Sequence, residues 1–473
     1  MPKALRFGAS KARFFLSSTH RGPALVLREL WSSVRSGPWL ELRGCVSPLK
    51  AIRLGDANAP RRSRMPQSIR IVPVLLAIGV ARPVLAQDGE VVTPLDLFEK
   101  EAGKGIRVGD GFVLLPEVGA GARYDTNVYN TATATRADAE FSLRPRVALQ
   151  SDFSRHQLVF YGGADVRRFA TLTEENTEAW DAGARARLEL AEAINITPEF
   201  RISRGFEQRG TAGDQFLTDR PVAFTRKEYM LGIERGQHGI ELALNGRIAR
   251  TDFSNATIGG FPIDLTLRDY TYREGQFRVG YNLSPRFQVY SRIVANDLRY
   301  RTALAISRDS SGYAVLGGAR IRLTSLLDVE VGAGYISQTF SNPAQRSIKA
   351  ADYSVSAIWN PHPTWQLRAE AGRHVDPSPL ANVPAIFRTS YRLEVRHVVG
   401  TRMLIGAEAS HSSEAYRGLV GSDRRTDVGL NLTYRITPQI GATANIGYRR
   451  QDGGATGRTY NGAGVGIGIR VIG

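Results

Sequence analysis

Beyond residue 110, apolar and polar positions alternate with few interruptions. In 180–190, Trp180, Ala182, Ala184, Ala186, Leu188 and Leu190 fall on one side; Asp181, Gly183, Arg185, Arg187 and Glu189 fall on the other. In 240–249, Ile240, Leu242, Leu244 and Ile248 oppose Glu241, Asn245 and Arg247. The pattern returns in 327–335 and 440–449, where Leu327, Val329, Val331, Ala333, Ile440, Ala442, Ala444 and Ile446 share the apolar face. Successive side chains of a strand point to opposite faces, so this period of two predicts strands with one apolar and one polar face.

A soluble β-sandwich also alternates. Here many runs extend well past the usual five or six residues, to a length that suits a tilted strand crossing a bilayer. The apolar face carries almost no charge near its centre, whereas the polar face carries charge in nearly every run. Aromatic residues sit near run ends: Tyr124, Trp180, Tyr281, Tyr353, Trp359, Trp365 and Tyr434. An amphipathic ring suits the headgroup layer, so these are candidate membrane-interface residues. No stretch after residue 87 is apolar enough to cross as a helix.

Proline-marked turns fix the count. The clearest are Ile196-Thr197-Pro198-Glu199-Phe200, Leu283-Ser284-Pro285-Arg286-Phe287 and Ile436-Thr437-Pro438-Gln439-Ile440, with a related Asn360-Pro361-His362-Pro363-Thr364-Trp365. Looser copies fall at 153–156, 235–238, 324–326 and 399–402. Proline presets a turn dihedral and needs no ladder hydrogen bond there. Eight turns flanked on both sides, plus runs at 113–124 and 459–472, predict an all-β, antiparallel up-and-down transmembrane barrel of about 18 strands, with 16 as the alternative. The intervening linkers are longer and polar: 125–138, 171–178, 207–225, 251–270, 301–311, 340–351, 375–388, 413–425 and 451–458. Short turns on the periplasmic side and longer loops outside are the expected arrangement.

Charge and the leader change this picture little. The net charge of +17 looks like that of a nucleic-acid binder, but residues 1–86 hold 15 of the 62 basic groups and only 3 of the 45 acidic ones. No nucleic-acid partner is therefore expected. Residues 65–86 combine Arg70, an apolar core at Ile71–Ala81 and Val84-Leu85-Ala86, which predicts a signal peptide cleaved after Ala86. Residues 1–64 read as an upstream extension ahead of the true start at Met65, or as a disordered basic arm. Residues 87–110 read as a periplasmic N-terminal segment and 111–473 as the barrel. The single cysteine, Cys45, precedes the cleavage site, which excludes disulfides and thiolate chemistry from the mature chain.

The opening run carries a further signal. Ile106-Arg107-Val108-Gly109, Phe112-Val113-Leu114-Leu115-Pro116, Gly119 and Tyr124-Asp125-Thr126-Asn127-Val128-Tyr129 resemble the first strand of the outer-membrane β-barrel porin 2 family, and the Thr-Pro-x turns are similar throughout the mature chain. The resemblance implies a porin-like barrel of the Gram-negative outer membrane in exopolysaccharide or capsule secretion. The partners it implies are outer-membrane lipid, the barrel-assembly machinery, polysaccharide cargo and periplasmic export proteins. Barrels of this kind usually end in Phe or Trp; this chain ends Arg470-Val471-Ile472-Gly473. A non-conducting accessory barrel is the competing expectation.

Other motifs point to no enzyme, metal or cofactor. Gly462-Ala463-Gly464-Val465-Gly466-Ile467-Gly468 resembles a phosphate loop, but such a loop must open a helix; it reads as the closing strand. Tyr124-Asp125-Thr126-Asn127 reads as an Asx turn rather than a cation loop. His156, His238, His362 and His397 sit near turns, and His374 and His411 near loop ends. His411 lies between Ser410 and Ser412, but strand neighbours point to opposite faces, so neither serine meets the imidazole. The informative surface is the charged face. Arg144, Arg146, Arg185, Arg187, Glu189, Arg247, Arg278, Arg292, Arg320, Arg322, Glu330, Arg368, Glu370, Arg392, Arg396 and Arg449 are the candidate lumen-facing residues. Such charges either brace the wall by cross-strand pairing or bias a conduit toward anions.

Overall fold

In the computed structural model, the described residues are 105–473, apart from 192, 215–217, 238, 303–306, 325 and 381. The predicted signal peptide, its cleavage site and residues 1–64 lie outside them, as does most of 87–110.

Eighteen long strands follow one another: β1 (Phe112–Asp125), β2 (Asp138–Ser151), β3 (Gln157–Phe169), β4 (Thr177–Ala191), β5 (Ile194–Phe206), β6 (Ala223–Gln237), β7 (Ile240–Phe253), β8 (Tyr270–Ser284), β9 (Phe287–Tyr300), β10 (Ser310–Thr324), β11 (Leu327–Phe340), β12 (Ile348–His362), β13 (Trp365–Pro377), β14 (Ala385–Val399), β15 (Met403–Tyr416), β16 (Asp423–Arg435), β17 (Ile440–Gly453) and β18 (Tyr460–Ile472). Each pairs antiparallel with the next, and β18 pairs back onto β1 from Ile472↔Glu117 to Gly464↔Asp125. The sheet therefore closes into a ring of 18 strands, which removes the 16-strand alternative. A short strand, Ile106–Val108, folds back on the first residues of β1 within the same sheet, and the preceding Gly105 amide bonds the Gly473 carbonyl after β18 (3.2 Å).

The strands are 13 to 15 residues long, more than the ~9–11 that cross a bilayer at a 45° tilt. One end carries short turns such as 285–286 and 363–364; the other carries loops as long as 207–222 and 254–269. The latter loop contains a small hairpin of Ala256–Ile258 and Phe261–Ile263.

One predicted turn is displaced. Ile196-Thr197-Pro198 lies within β5, and the connection falls at 192–193. Proline supplies no amide hydrogen. The β4–β5 ladder accordingly skips from Leu188↔Ile196 to Arg185↔Glu199 without changing register, and Pro198 is tolerated inside a strand. A second irregularity separates β12 from β13. They pair from Ser354↔Gly372 toward the short-turn end, but 348–353 and 373–377 are unpaired with each other. Arg373 donates to the Ala351 carbonyl across this split (3.1 Å), and Val375 and Phe387 pack against Phe340, Ile348 and Ala385 there.

Candidate functional site

The outward face of the strands is mainly aliphatic and aromatic. Phe141, Leu143, Leu244, Phe277, Leu393 and Ile467 are all exposed. Of the candidate interface aromatics, Tyr124 and Trp180 face outward near the long-loop end, and Tyr281, Trp359, Trp365 and Tyr434 near the short-turn end. Tyr353 lies farther in from its strand end and shares a hydrogen bond with Tyr391 (2.9 Å).

The sixteen lumen candidates occupy the opposite parity, inside the barrel, and most are held by carboxylates. Arg144 meets Asp165 (3.4 Å), Arg247 meets Glu228 (2.6 Å), and Arg278 donates twice to Glu330 (2.7 and 3.0 Å). Asp328 receives Arg320 (Nε at 3.0 Å) and lies 3.8 Å from Arg322. Arg392 bonds Glu408 (2.8 Å) and Arg396 bonds Glu394. Arg449 forms a two-pronged bond to Asp125, both arms 2.8 Å. Arg187 lies 3.9 Å from Glu189, and Arg292 donates to Ser354 (3.1 Å). Arg146 stands opposite Glu117, Arg368 opposite Glu394, and Glu370 opposite Arg392 in register. Arg185 is inward on β4 and also has an interaction partner. Planar guanidinium forks suit this bidentate pairing, and the network spreads over the whole wall.

The glycines of β18 make room for it. A Cβ on Gly464 would stand 2.5 Å from the Arg123 guanidinium, and one on Gly462 3.0 Å from that of Arg449. The Gly462–Gly468 run is thus a strand whose inward side is left open for arginines of its neighbours, while Val465, Ile467 and Ile469 are exposed outward. Asp125 takes the Asn127 amide as well as Arg449, an Asx turn closed by an ion pair. The lumen is not charged throughout: Val294, Ala314, Leu316 and Ile336 form a buried inward cluster on β9–β11.

The histidines are spread out. His156 accepts the Glu189 amide (3.3 Å), His397 stacks on Trp365 (3.9 Å), His362 bonds Thr364 and His374 lies 3.2 Å from Asp376. His411 shares a hydrogen bond with the Thr426 hydroxyl rather than a serine (2.9 Å). His238 lies outside the described residues.

What sequence patterns missed is the loop architecture. The 207–222 loop reaches several other loops and strand ends around the barrel mouth. Asn130 donates to the Arg209 carbonyl (2.7 Å), Tyr460 to that of Gly210 (3.4 Å) and Arg458 to that of Thr211. Ala212 packs, with Ala455, against the buried Leu380 and Val383 of the 378–384 loop, Ile386 of β14 and Tyr416 of β15. Arg209 anchors the loop, bonded to Glu175 (2.6 and 2.9 Å) and Asp214 (2.8 Å). Burial would lower the pKa of this guanidinium, but the bonds and charge of Glu175 and Asp214 outweigh it and raise it. Arg308, buried without a carboxylate of this kind, is lowered by burial; it donates to the Leu267, Ser378 and Leu380 carbonyls and ties three loops.

The closed barrel and its charged interior meet a match in sequence: residues 102–472 fit the family described as "Putative beta-barrel porin 2". The chain belongs to this family. Family and fold place it in the bacterial outer membrane. Solved structures with similar folds include the FrpB iron transporter from Neisseria meningitidis (F5-1 variant), at 9% identity and TM-score 0.44, covering 81% of this chain and 84% of that one. The siderophore receptor PirA from Acinetobacter baumannii aligns at 8% identity and TM-score 0.41, with 76% and 80% covered. A loop-deletion mutant of OmpT, an outer membrane protein of Vibrio cholerae, aligns at 10% identity and TM-score 0.36, with 77% and 100% covered. No curated protein matches the chain in sequence.

Proposed function

We propose that this porin-family barrel is a conduit of the outer membrane with a weak preference for anions, and that its natural cargo is an acidic polysaccharide on its way out of the cell. The observation that supports this most is the inward network of Arg–carboxylate pairs, from Arg320–Asp328 near the short-turn end to Arg449–Asp125 near the long-loop end. Each arginine keeps donors beyond those its carboxylate takes, and the neighbouring acid keeps any contact with cargo weak. A conduit needs such weak, repeated contacts so that cargo can leave. The secretion context comes from the family resemblance.

Reversal potentials of the purified barrel in a planar bilayer under a salt gradient test the ion preference; an anion-leaning value is expected. Deleting the gene and assaying secreted polysaccharide tests the cargo. A non-conducting barrel in cells with unchanged polysaccharide overturns the reading. One observation favours a second reading, an accessory barrel: the 207–222 loop is tied to several parts of the mouth. In that case conductance is absent and the exported polymer depends on the barrel only through a periplasmic partner.

A further inference from the structure

The outward face is apolar over most of its height, but not on β5–β9 near the long loops. Each of these five consecutive strands places one cation outward there: Arg204, Lys227, Arg250, Arg273 and Arg299, all exposed. The register aligns three of them. Lys227 is paired with Arg250, Arg250 with Thr271, and Thr271 with Arg299, so the three cations share one row across four strands. Like charges directly opposite destabilise a strand pair, and Lys227 has no ion pair among the described residues. The carboxylates within reach are few. Asp252 lies 3.3 Å from Arg250 and also takes Arg301, Asp297 takes Arg273 and Arg299, and Asp309 approaches Arg299 at 3.6 Å. Two outward cations on other strands each have a carboxylate of their own, Arg168 with Glu178 and Arg450 with Asp452.

Below this row the same strands form an outward groove of about 580 Å³. Its floor is the row Leu231, Gly246, Gly275 and Ala295, paired in that order. A Cβ on Gly246 or Gly275 would meet nothing within 4 Å. Tyr229 and Ile248 wall it, and Arg273 and Asp297 stand at its rim. The floor lies four residues below the cation row, roughly 14 Å at the ~3.4 Å rise of an antiparallel strand. Strands longer than the bilayer requires put the cations at headgroup height and the groove in the acyl region.

We propose that the outward face of β5–β9 binds a phosphorylated, multiply acylated lipid of the outer leaflet, with phosphate on Lys227, Arg250 and Arg299 and an acyl chain in the groove over Gly246 and Gly275. Three cations in a row match a headgroup carrying more than one phosphate. Such an anion turns the Lys227–Arg250 repulsion into a shared contact. The apolar trough directly beneath distinguishes this from a site for free phosphate.

The test uses the folded barrel in detergent, with native mass spectrometry counting bound bisphosphorylated lipid A, its dephosphorylated form, and inorganic phosphate as competitor. The parent should hold the bisphosphorylated lipid in preference to the dephosphorylated one. The triple variant Lys227→Gln/Arg250→Gln/Arg299→Gln should lose that preference and about tenfold in affinity. Gly275→Leu, which fills the groove but leaves every cation, should weaken both lipids and not phosphate. Arg424→Gln/Arg450→Gln, on other strands, should bind as the parent does. Equal binding of both lipids by the parent, parent-like binding by the triple variant, or an equal loss in the Arg424/Arg450 control overturns the proposal. Gel mobility before and after heating shows that each variant is folded. None of these outcomes depends on whether the lumen conducts.

Discussion

Arg278 sits over Tyr290, its guanidinium carbon 3.9 Å from the ring centroid, while both its arms hold Glu330. The ring in turn rests over Gly318 and Gly332, where a Cβ would come within 2.6 Å of the phenol oxygen. This arginine is fixed from three sides and acts first as a brace. Replacing Glu330 with Gln should therefore do two things. It should destabilise the barrel by roughly 1.5–3 kcal/mol, the scale of a hydrogen bond to a charged group, measured by urea unfolding in vesicles. It should also release positive charge into the lumen and move the reversal potential toward anions. A stability loss with no change in selectivity would make the pair purely structural.

The two faces give a sharper test. Ala444 points outward on β17, and its neighbour Thr443 is buried on the inward side. Arginine at 444 should cost about 2–4 kcal/mol at mid-depth, the penalty for a charge on the lipid face, and should reduce assembly. Arginine at 443 should cost less, because the inward wall already carries polar side chains. Assembly yield and heat-modifiable mobility of the two variants check this; a normal Ala444→Arg with a failed Thr443→Arg would invert the assignment of faces.

The strand count and parity were legible because they rest on a local signal, the period of two, which survives even where Ala and Gly replace larger residues, as in β18. The same reading misplaced the β4–β5 connection because Pro198 resembles the turn prolines 285 and 438. Only the pairing of β4 with β5 shows that the ladder can step over one missing amide. Arg144, Arg247 and Arg278 were recognisable as inward, but not their partners: Asp165, Glu228 and Glu330 are 21, 19 and 52 residues away. The contacts of the 207–222 loop were invisible for the same reason. Gly210 and Tyr460 are 250 residues apart and meet only after the barrel has closed.

The tryptophans report on membrane position. Trp180 faces outward near the long-loop end, and Trp359 and Trp365 near the short-turn end. Single-tryptophan variants in vesicles of brominated lipids should be quenched most by bromine near the headgroup and least by bromine near the bilayer centre, as expected for interfacial rings. Deepest quenching at mid-chain would remove the aromatic girdles.

Gly210 seats the 207–222 loop. Its φ is +81°, a conformation other residues rarely adopt, and a Cβ would stand 2.6 Å from that of Asn130 and 2.9 Å from the Tyr460 ring. Valine here should unseat the loop at a cost of roughly 1–3 kcal/mol. If this loop limits passage, single-channel conductance should rise while the barrel stays folded. An unchanged conductance in a folded Gly210→Val barrel would show that the narrowest point lies elsewhere.

The same loop has a second fastening that is sensitive to acid. Asp219 accepts the amides of Gly259 and Gly260 at 2.7 and 2.9 Å, which latches 207–222 to the neighbouring hairpin. The bonds from Gly260, the Thr257 side chain and Gly259 hold its pKa below the ordinary 3.8. A lowered carboxylate pKa means that the closed latch favours the ionised form. Its contribution is complete above the ordinary value and is lost as pH falls through the lowered one. The latch should thus be closed at neutral pH and open only below about 3.8. A nitroxide at the hairpin tip, on a Phe261→Cys variant, reads this directly, since that position is exposed. Its mobility should be flat from pH 7 to 5 and increase below 3.8. In an Asp219→Asn background the acid-dependent step should vanish. A step of the same size at the same pH in that background would assign the titration to another group.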